Sequence, residues 1–253
     1  MQLFCIMRYF LDISYKGTHY SGWQVQDNAK TVQGEINNAL SILLKSDIEI
    51  MGSGRTDAGV HAHHQIAHFD SEKIKNSEKF IYKTNALLPG DIAINKLIAV
   101  KEDAHARFDA DSRSYQYFIH TRKDAFIQNT SYFFNAPLDI TSINEAIELI
   151  KSWKDFEAFS KVHTEVNHFN CDIFEAHWEL TATGYVFYIR ANRFLRGMVR
   201  TIVGTLLDIG TGKTSLEELE KILKSNNRKE AGRSVSPDGL FLHAITYPTD
   251  IYL

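Results

Sequence analysis

The chain has 253 residues, a formal net charge of -3, 44% hydrophobic and 23% charged residues, an ordinary globular composition with length for one large domain or two small ones. It contains no uninterrupted apolar run of the ~18 residues that span a bilayer, and MQLFCIMRYF has neither a basic start nor a small-residue cleavage site, so a soluble cytoplasmic protein is expected. Cys5 and Cys171 form no spaced cluster, which argues against a disulfide framework and against a cysteine zinc site.

Tyr9, Leu11, Ile13 and Tyr15 alternate with more polar neighbours, the period of a strand with one buried face, and KGTHYSGW ends the pattern. From Thr31, the apolar positions Val32, Ile36, Leu40, Leu43 and Leu44 fall at helical spacing and stop near Lys45. Residues 48–51 read as a second strand, 52–59 as a glycine-punctuated loop and 60–69 as a third strand. A helix over 77–88 is stopped by Pro89-Gly90, and 92–100 reads as a fourth strand. Strand, helix, strand, strand, helix, strand is the order of a ferredoxin-like unit, an α+β arrangement with two helices on one face of a four-stranded antiparallel sheet.

The second half repeats the pattern without repeating the residues. It reads as a strand over 114–120 and a helix over 141–153 with a capping-box signature at Ser142 and Glu145. Strands over 173–181 and 185–191 are joined by a turn at Thr183-Gly184. A helix from Arg193, a short helix opened by Ser215 and Glu218, and a last strand over 240–247 complete it.

Five segments could carry chemistry. In the loop 52–59, Gly52, Gly54 and Gly59 flank Arg55 and Asp57, and glycines allow another molecule to approach the main chain closely. The plainer reading is a tight connection in which Asp57 makes a local turn bond. The dinucleotide fingerprint fails, because Asp57 stands where its last glycine belongs. Gly210-Thr211-Gly212-Lys213-Thr214 resembles the end of a phosphate loop, but Leu207 occupies the required earlier glycine, so a helix stop is expected.

His61, His63, His64 and His68 invite a metal. On a strand, His61 and His63 would share one face and His64 and His68 the other, and Gln65 replaces the glutamate of the zinc-protease pattern, so no metal site is expected. The helix from Arg193 carries a stripe of Phe194, Leu195, Met198, Val199, Ile202, Val203, Leu206 and Leu207, with Arg193, Arg196 and Arg200 on another face. Residues 189–207 contain no acid, so this basic face can follow RNA phosphates although the whole chain is acidic. Finally, His105-Ala106-Arg107-Phe108 and Arg113-Ser114-Tyr115-Gln116-Tyr117 offer aromatics that serve either as packing or as a stacking surface for an unstacked base.

Together, SGWQVQDNAKTVQGEINNAL, GSGRTDAGVHA, LLPGDIAI, HARFDADSRSYQY, DFEAF, NRFLRGMVRTIVG and PDGLFLHAITYP resemble the TruA family of tRNA pseudouridine synthases over nearly the whole chain. The resemblance implies two ferredoxin-like halves, 1–108 and 109–253, with an active-site cleft between them, and a homodimer acting on the anticodon arm of tRNA at nucleotides 38 to 40. It implies Asp57 as the catalytic carboxylate, Tyr115, Arg55 and Arg200 as substrate-binding residues, with Arg200 pairing with the aspartate, and an isomerisation without cofactor or metal. Arg193 and Arg196 would follow the RNA backbone. The rival reading is an RNA-binding module without catalysis, and a histidine-metal hydrolase is a third. Departures from the family pattern are Ser234 and Ser236 on the expected wall of the uracil pocket, the His63-His64 pair, and six residues before the usual start, which makes Met7 a candidate initiator.

Overall fold

The computed structural model describes residues 6–161 and 166–253, so Cys5 and the question of the initiator lie outside the described residues. The chain is mixed α+β with a mostly antiparallel sheet, and it divides into two compact units, Met1–Asp111 with Leu242–Leu253, and Ser112–Phe241.

The first unit runs β1 (Ile6–Tyr15), α1 (Val32–Leu44), β2 (Met51–Gly52), β3 (His61–Glu72), α2 (Ser77–Leu87) and β4 (Ile92–Val100). Its strands stand in the order β4-β1-β3, with β2 on β3. Both faces of β1 are covered: Phe10 and Asp12 are buried along with Tyr9, Leu11 and Ile13. Helix α1 starts where the Thr31 hydroxyl accepts the Gly34 amide, and it buries Val32, Ile36, Ala39 and Leu40.

The second strand is shorter than its sequence suggests. Asn37 and Ser41 of α1 accept the Ile50 and Ile48 amides at 3.0 and 2.9 Å, and Gln33 donates to the Ile50 carbonyl at 2.7 Å. Side chains of the preceding helix thus satisfy the backbone that a strand partner would otherwise take.

The second unit holds β5 (Ser112–His120), β6 (Tyr132–Phe133), α3 (Ile140–Ser152), β7 (Ile173–Leu180), β8 (Gly184–Ala191), α4 (Met198–Gly210) and α5 (Leu216–Ser225). Strands β5-β8-β7 are antiparallel in that order, and β6 pairs with β5 in parallel. A last strand, β9 (Leu240–Thr246), begins in the second unit and ends in the first.

Two helix starts differ from expectation. Helix α3 is capped by Asp139, which accepts the Thr141 and Ser142 amides, and not by a Ser142–Glu145 box; the carboxylate outcompetes the hydroxyl, whose own Oγ donates to Asp139 at 2.6 Å. Helix α4 starts at Met198 and not at Arg193, because Gly197 adopts φ 75°, a left-handed conformation that no helix continues through. Helix α5 opens with the expected box, Ser215 and Glu218 exchanging bonds at 2.6 and 3.2 Å.

Cys171 is buried, and its thiol is pushed up to about 12 by that burial. Among the described residues, no helix is long and apolar enough to cross a membrane.

Candidate active site

The loop between β2 and β3 is held at both legs. On the outgoing leg the Ser53 amide donates to the Ile66 carbonyl at 2.7 Å, extending the ladder one step past β2. The Ser53 hydroxyl then donates to Gln65 Oε1 at 2.5 Å, and Gln65 Nε2 donates to the Gly54 carbonyl at 2.9 Å. Further along, the Thr56 hydroxyl and the Tyr15 hydroxyl share a buried bond of 2.8 Å, and the Trp23 amide donates to the Thr56 carbonyl at 3.2 Å. The Val60 amide donates to the Asp57 carbonyl at 3.1 Å, closing the return. Arg55 is exposed and Asp57 half-buried, so the loop presents both side chains from a fixed main chain.

Gly22 backs this loop. Its φ is 98°, and a Cβ there would stand 2.6 Å from the Thr56 carbonyl oxygen. Only glycine meets both requirements. SGW therefore does two things beside the loop: it lets the chain come close, and it donates the Trp23 amide to it.

Three histidines of β3 are backbone acceptors. His61 Nδ1 accepts the Gly17 amide, His64 Nδ1 the Ile245 amide and His68 Nδ1 the Ala106 amide, each at 3.1 Å. An Nδ1 that accepts belongs to a neutral ring. The expected sharing of one face by His61 and His63 does not hold: Ile13 pairs with Gln65 but Tyr15 with Ala62, a bulge that breaks the alternation at His63-His64, and His61 is wholly buried while His63 is exposed. Among the described residues, no group of three or more His, Cys, Asp and Glu is placed to hold a metal ion.

The second unit carries the other sequence candidates. Tyr115 stands on β5 opposite Ile189 of β8, half-buried, with its ring edge-on to Phe194 at 5.1 Å. Tyr117 is wholly buried, donates its hydroxyl to the Ser236 carbonyl at 2.7 Å and belongs to the core. Arg200, in the first turn of α4, donates from Nε to the Val235 carbonyl at 2.7 Å, and its own carbonyl accepts the Val235 amide at 3.2 Å. Arg193 and Arg196 precede α4, so they do not share a helical face with Arg200. Arg193 Nη1 lies 3.3 Å from His168 Nε2, and Arg196 is exposed.

Ser234 shares a bond of 2.9 Å with Thr201 of α4, and Ser236 donates to Asp238 at 2.6 Å within its own segment. Gly210 to Thr214 behaves as the expected helix stop, with the Thr211 amide on the Leu207 carbonyl and the Lys213 amide on Asp208.

The structure therefore brings Arg55 and Asp57 into one clamped loop of the first unit, and places Tyr115, Arg193, Arg196 and Arg200 in the second. Sequence reasoning missed Gln65, Tyr15 and Gly22 as the loop's supports. The available signal was a glutamine directly before the apolar Ile66 and Ala67.

A family model described as tRNA pseudouridine synthase matches residues 13–109 and 153–248. The tRNA pseudouridine synthase A of Parabacteroides distasonis is 46% identical over 246 residues, covering 97% of this chain and 98% of the relative. That of Bacteroides fragilis is 45% identical, covering 98% and 99%, and that of Bacillus subtilis is 40% identical, covering 95% and 99%. With most of its length matched by the model and nearly all of it by such relatives, the chain belongs to the tRNA pseudouridine synthase family.

Proposed function

We propose that the protein isomerises uridine to pseudouridine in tRNA, with Asp57 as the essential carboxylate and without a cofactor. The observation that carries this reading is the near full-length similarity to enzymes named tRNA pseudouridine synthase A, and the clamped loop presenting Arg55 and Asp57 supports it. In the reaction the bond from ribose C1′ to uracil N1 breaks, the base turns, C5 bonds to C1′, and the C5 proton leaves while N1 gains one. No electron or group is exchanged with another molecule.

Asp57 acts ionised, adding to the sugar or removing a sugar proton. Tyr115 stacks on the flipped uracil, and its hydroxyl is the candidate base for the C5 proton. Arg55 holds the base out of the stack or takes its flanking phosphate. Arg200, its orientation fixed by the Nε bond to Val235, contributes to substrate binding. Arg193 and Arg196 follow the RNA backbone from the segment before α4.

The finer assignments follow the family resemblance: the anticodon arm at nucleotides 38 to 40, a homodimer, and the cytoplasm. We also read the fold as two ferredoxin-like halves, 1–108 with the Asp loop and 109–253 with Tyr115 and the basic segment. The strand order β4-β1-β3-β2 in the first unit supports this.

The test is tritium release from tRNA labelled at uracil C5, comparing wild type with Asp57→Asn and adding no cofactor. Wild type should release tritium, and Asp57→Asn should bind tRNA but release essentially none. Binding without release by wild type would establish an RNA-binding module in place of an enzyme, and an active Asp57→Asn would remove the catalytic assignment.

A further inference from the structure

We infer that Gln65 is a positioning residue for Arg55 and Asp57, an assignment that rests on the reading of Asp57 as the reacting carboxylate. Gln65 has 0% exposure, on a strand whose following residues Ile66 and Ala67 are buried and apolar. An apolar side chain of the same length would occupy this place without the penalty of burying an amide. The amide here is paired on both sides, and both partners are loop residues. Oε1 accepts from Ser53 at 2.5 Å and Nε2 donates to the Gly54 carbonyl at 2.9 Å.

The backbone geometry shows why a side chain is used. The β2–β3 ladder ends at Gly52↔Ala67, and the Ser53 amide adds one more bond to Ile66. Beyond that the loop leaves the strand, and Gln65 reaches across to hold Gly54 where backbone pairing has run out. Tyr15 and Trp23 hold Thr56 by its hydroxyl and its carbonyl. Arg55 is thus fixed on both flanks, and Asp57 follows directly. Release of the Gly54 flank allows the 55–57 stretch to shift, and a misplacement of ~1 Å in a catalytic group lowers rate by about 100-fold.

The experiment measures kcat and KM by tritium release, tRNA binding, and thermal unfolding for Gln65→Met, Gln65→Glu, Ser53→Ala and Asp57→Asn. Gln65→Met keeps the volume and removes both bonds; its kcat should fall about 10- to 100-fold, with KM for tRNA within about threefold and tRNA binding retained. Ser53→Ala leaves the bond to Gly54 and should lose less. Gln65→Glu keeps the acceptor for Ser53 and, when ionised, loses the donor to Gly54. A buried carboxyl protonates readily as pH falls, which restores an O–H donor. Its activity relative to wild type should therefore rise toward low pH, a response that loss of packing alone would not give.

A folded Gln65→Met with wild-type kcat overturns the inference, as does a loss confined to KM. If Gln65→Met fails to fold, a Gln65→Glu ratio that is flat with pH overturns it. An active Asp57→Asn overturns the underlying catalytic reading instead, whatever Gln65 does.

Discussion

Replacing Gly22 by alanine tests whether the backing of the Asp57 loop matters to the reaction. The methyl would lie 2.6 Å from the Thr56 carbonyl oxygen and 3.2 Å from the Asp57 carbonyl carbon, whereas ordinary contact begins at 3.4 Å, so the two segments must part by about 0.8 Å. Alanine at φ 98° adds backbone strain of about 1–3 kcal/mol. Relief by separation also weakens the Trp23–Thr56 bond, already 3.2 Å long, whose net value is about 1 kcal/mol. A loss of about 3 kcal/mol lowers the melting temperature by roughly 6–12 °C for a chain of this size. Because the displaced atoms belong to Thr56 and Asp57 themselves, tritium release from C5-labelled tRNA should fall about 100-fold. Thermal melting and single-turnover release, measured on the same preparation with tRNA saturating, read the two effects separately. A Gly22→Ala protein that melts lower but keeps the wild-type rate refutes the coupling of this contact to Asp57; one unchanged in both refutes the contact itself.

Other perturbations separate stability from binding. His68 accepts the Ala106 amide, and burial, then the neighbouring His105, lower its pKa from 6.5 to about 4. Since the folded value is the depressed one, this stabilisation is complete above pH 6.5 and is lost as pH falls through 6.5 toward 4, amounting to no more than about 2 kcal/mol for a partly exposed ring. His68→Asn should flatten the fall in melting temperature between pH 6.5 and 4, and parallel curves for the two proteins would reject this. Ser215→Ala removes one half of the α5 capping box and should destabilise by about 1 kcal/mol, seen in melting with tritium release unchanged. Arg196→Ala should raise KM for tRNA and reduce the salt slope of binding by roughly 0.7–0.9 at constant kcat; an unaltered slope would take Arg196 out of the RNA path.

The elements legible in the sequence were those whose residues carry their own period or punctuation. The 77–88 helix and the 92–100 strand needed only the Pro89-Gly90 stop that divides them, and the structure has them at Ser77–Leu87 and Ile92–Val100. The failures lie where a partner distant in sequence decides. Residues 48–50 have strand composition, yet Asn37 and Ser41 of α1 take their amides. The apolar stripe from Phe194 runs unbroken through Gly197, whose left-handed φ sets the start of the helix at Met198, taking Arg193 and Arg196 off its face. The supports of the candidate site were hidden for the same reason. Gln65 shows its role only once the Ser53–Gly54 leg is folded against it, and Gly22 only once Thr56 lies on top of it.

An isomerisation that takes nothing from a co-reactant must draw its rate from the placement of groups the protein already has. The first unit is built in that sense around one loop: a buried glutamine on β3, a buried tyrosine hydroxyl on β1 and a glycine of left-handed backbone after it all act on residues 53–57. Each of these features is unfavourable in isolation, since a buried amide, a buried hydroxyl and an unusual φ stabilise a fold less than apolar packing would. Their convergence on five consecutive residues is most simply explained by the two side chains those residues carry outward, Arg55 and Asp57. The same convergence explains why the loop's glycines alone were an ambiguous signal, because glycine spacing records where the main chain must be close to something and not what holds it there. The polar residue buried beside the loop distinguishes a clamped site from a tight turn, and Gln65 is where that distinction can be measured.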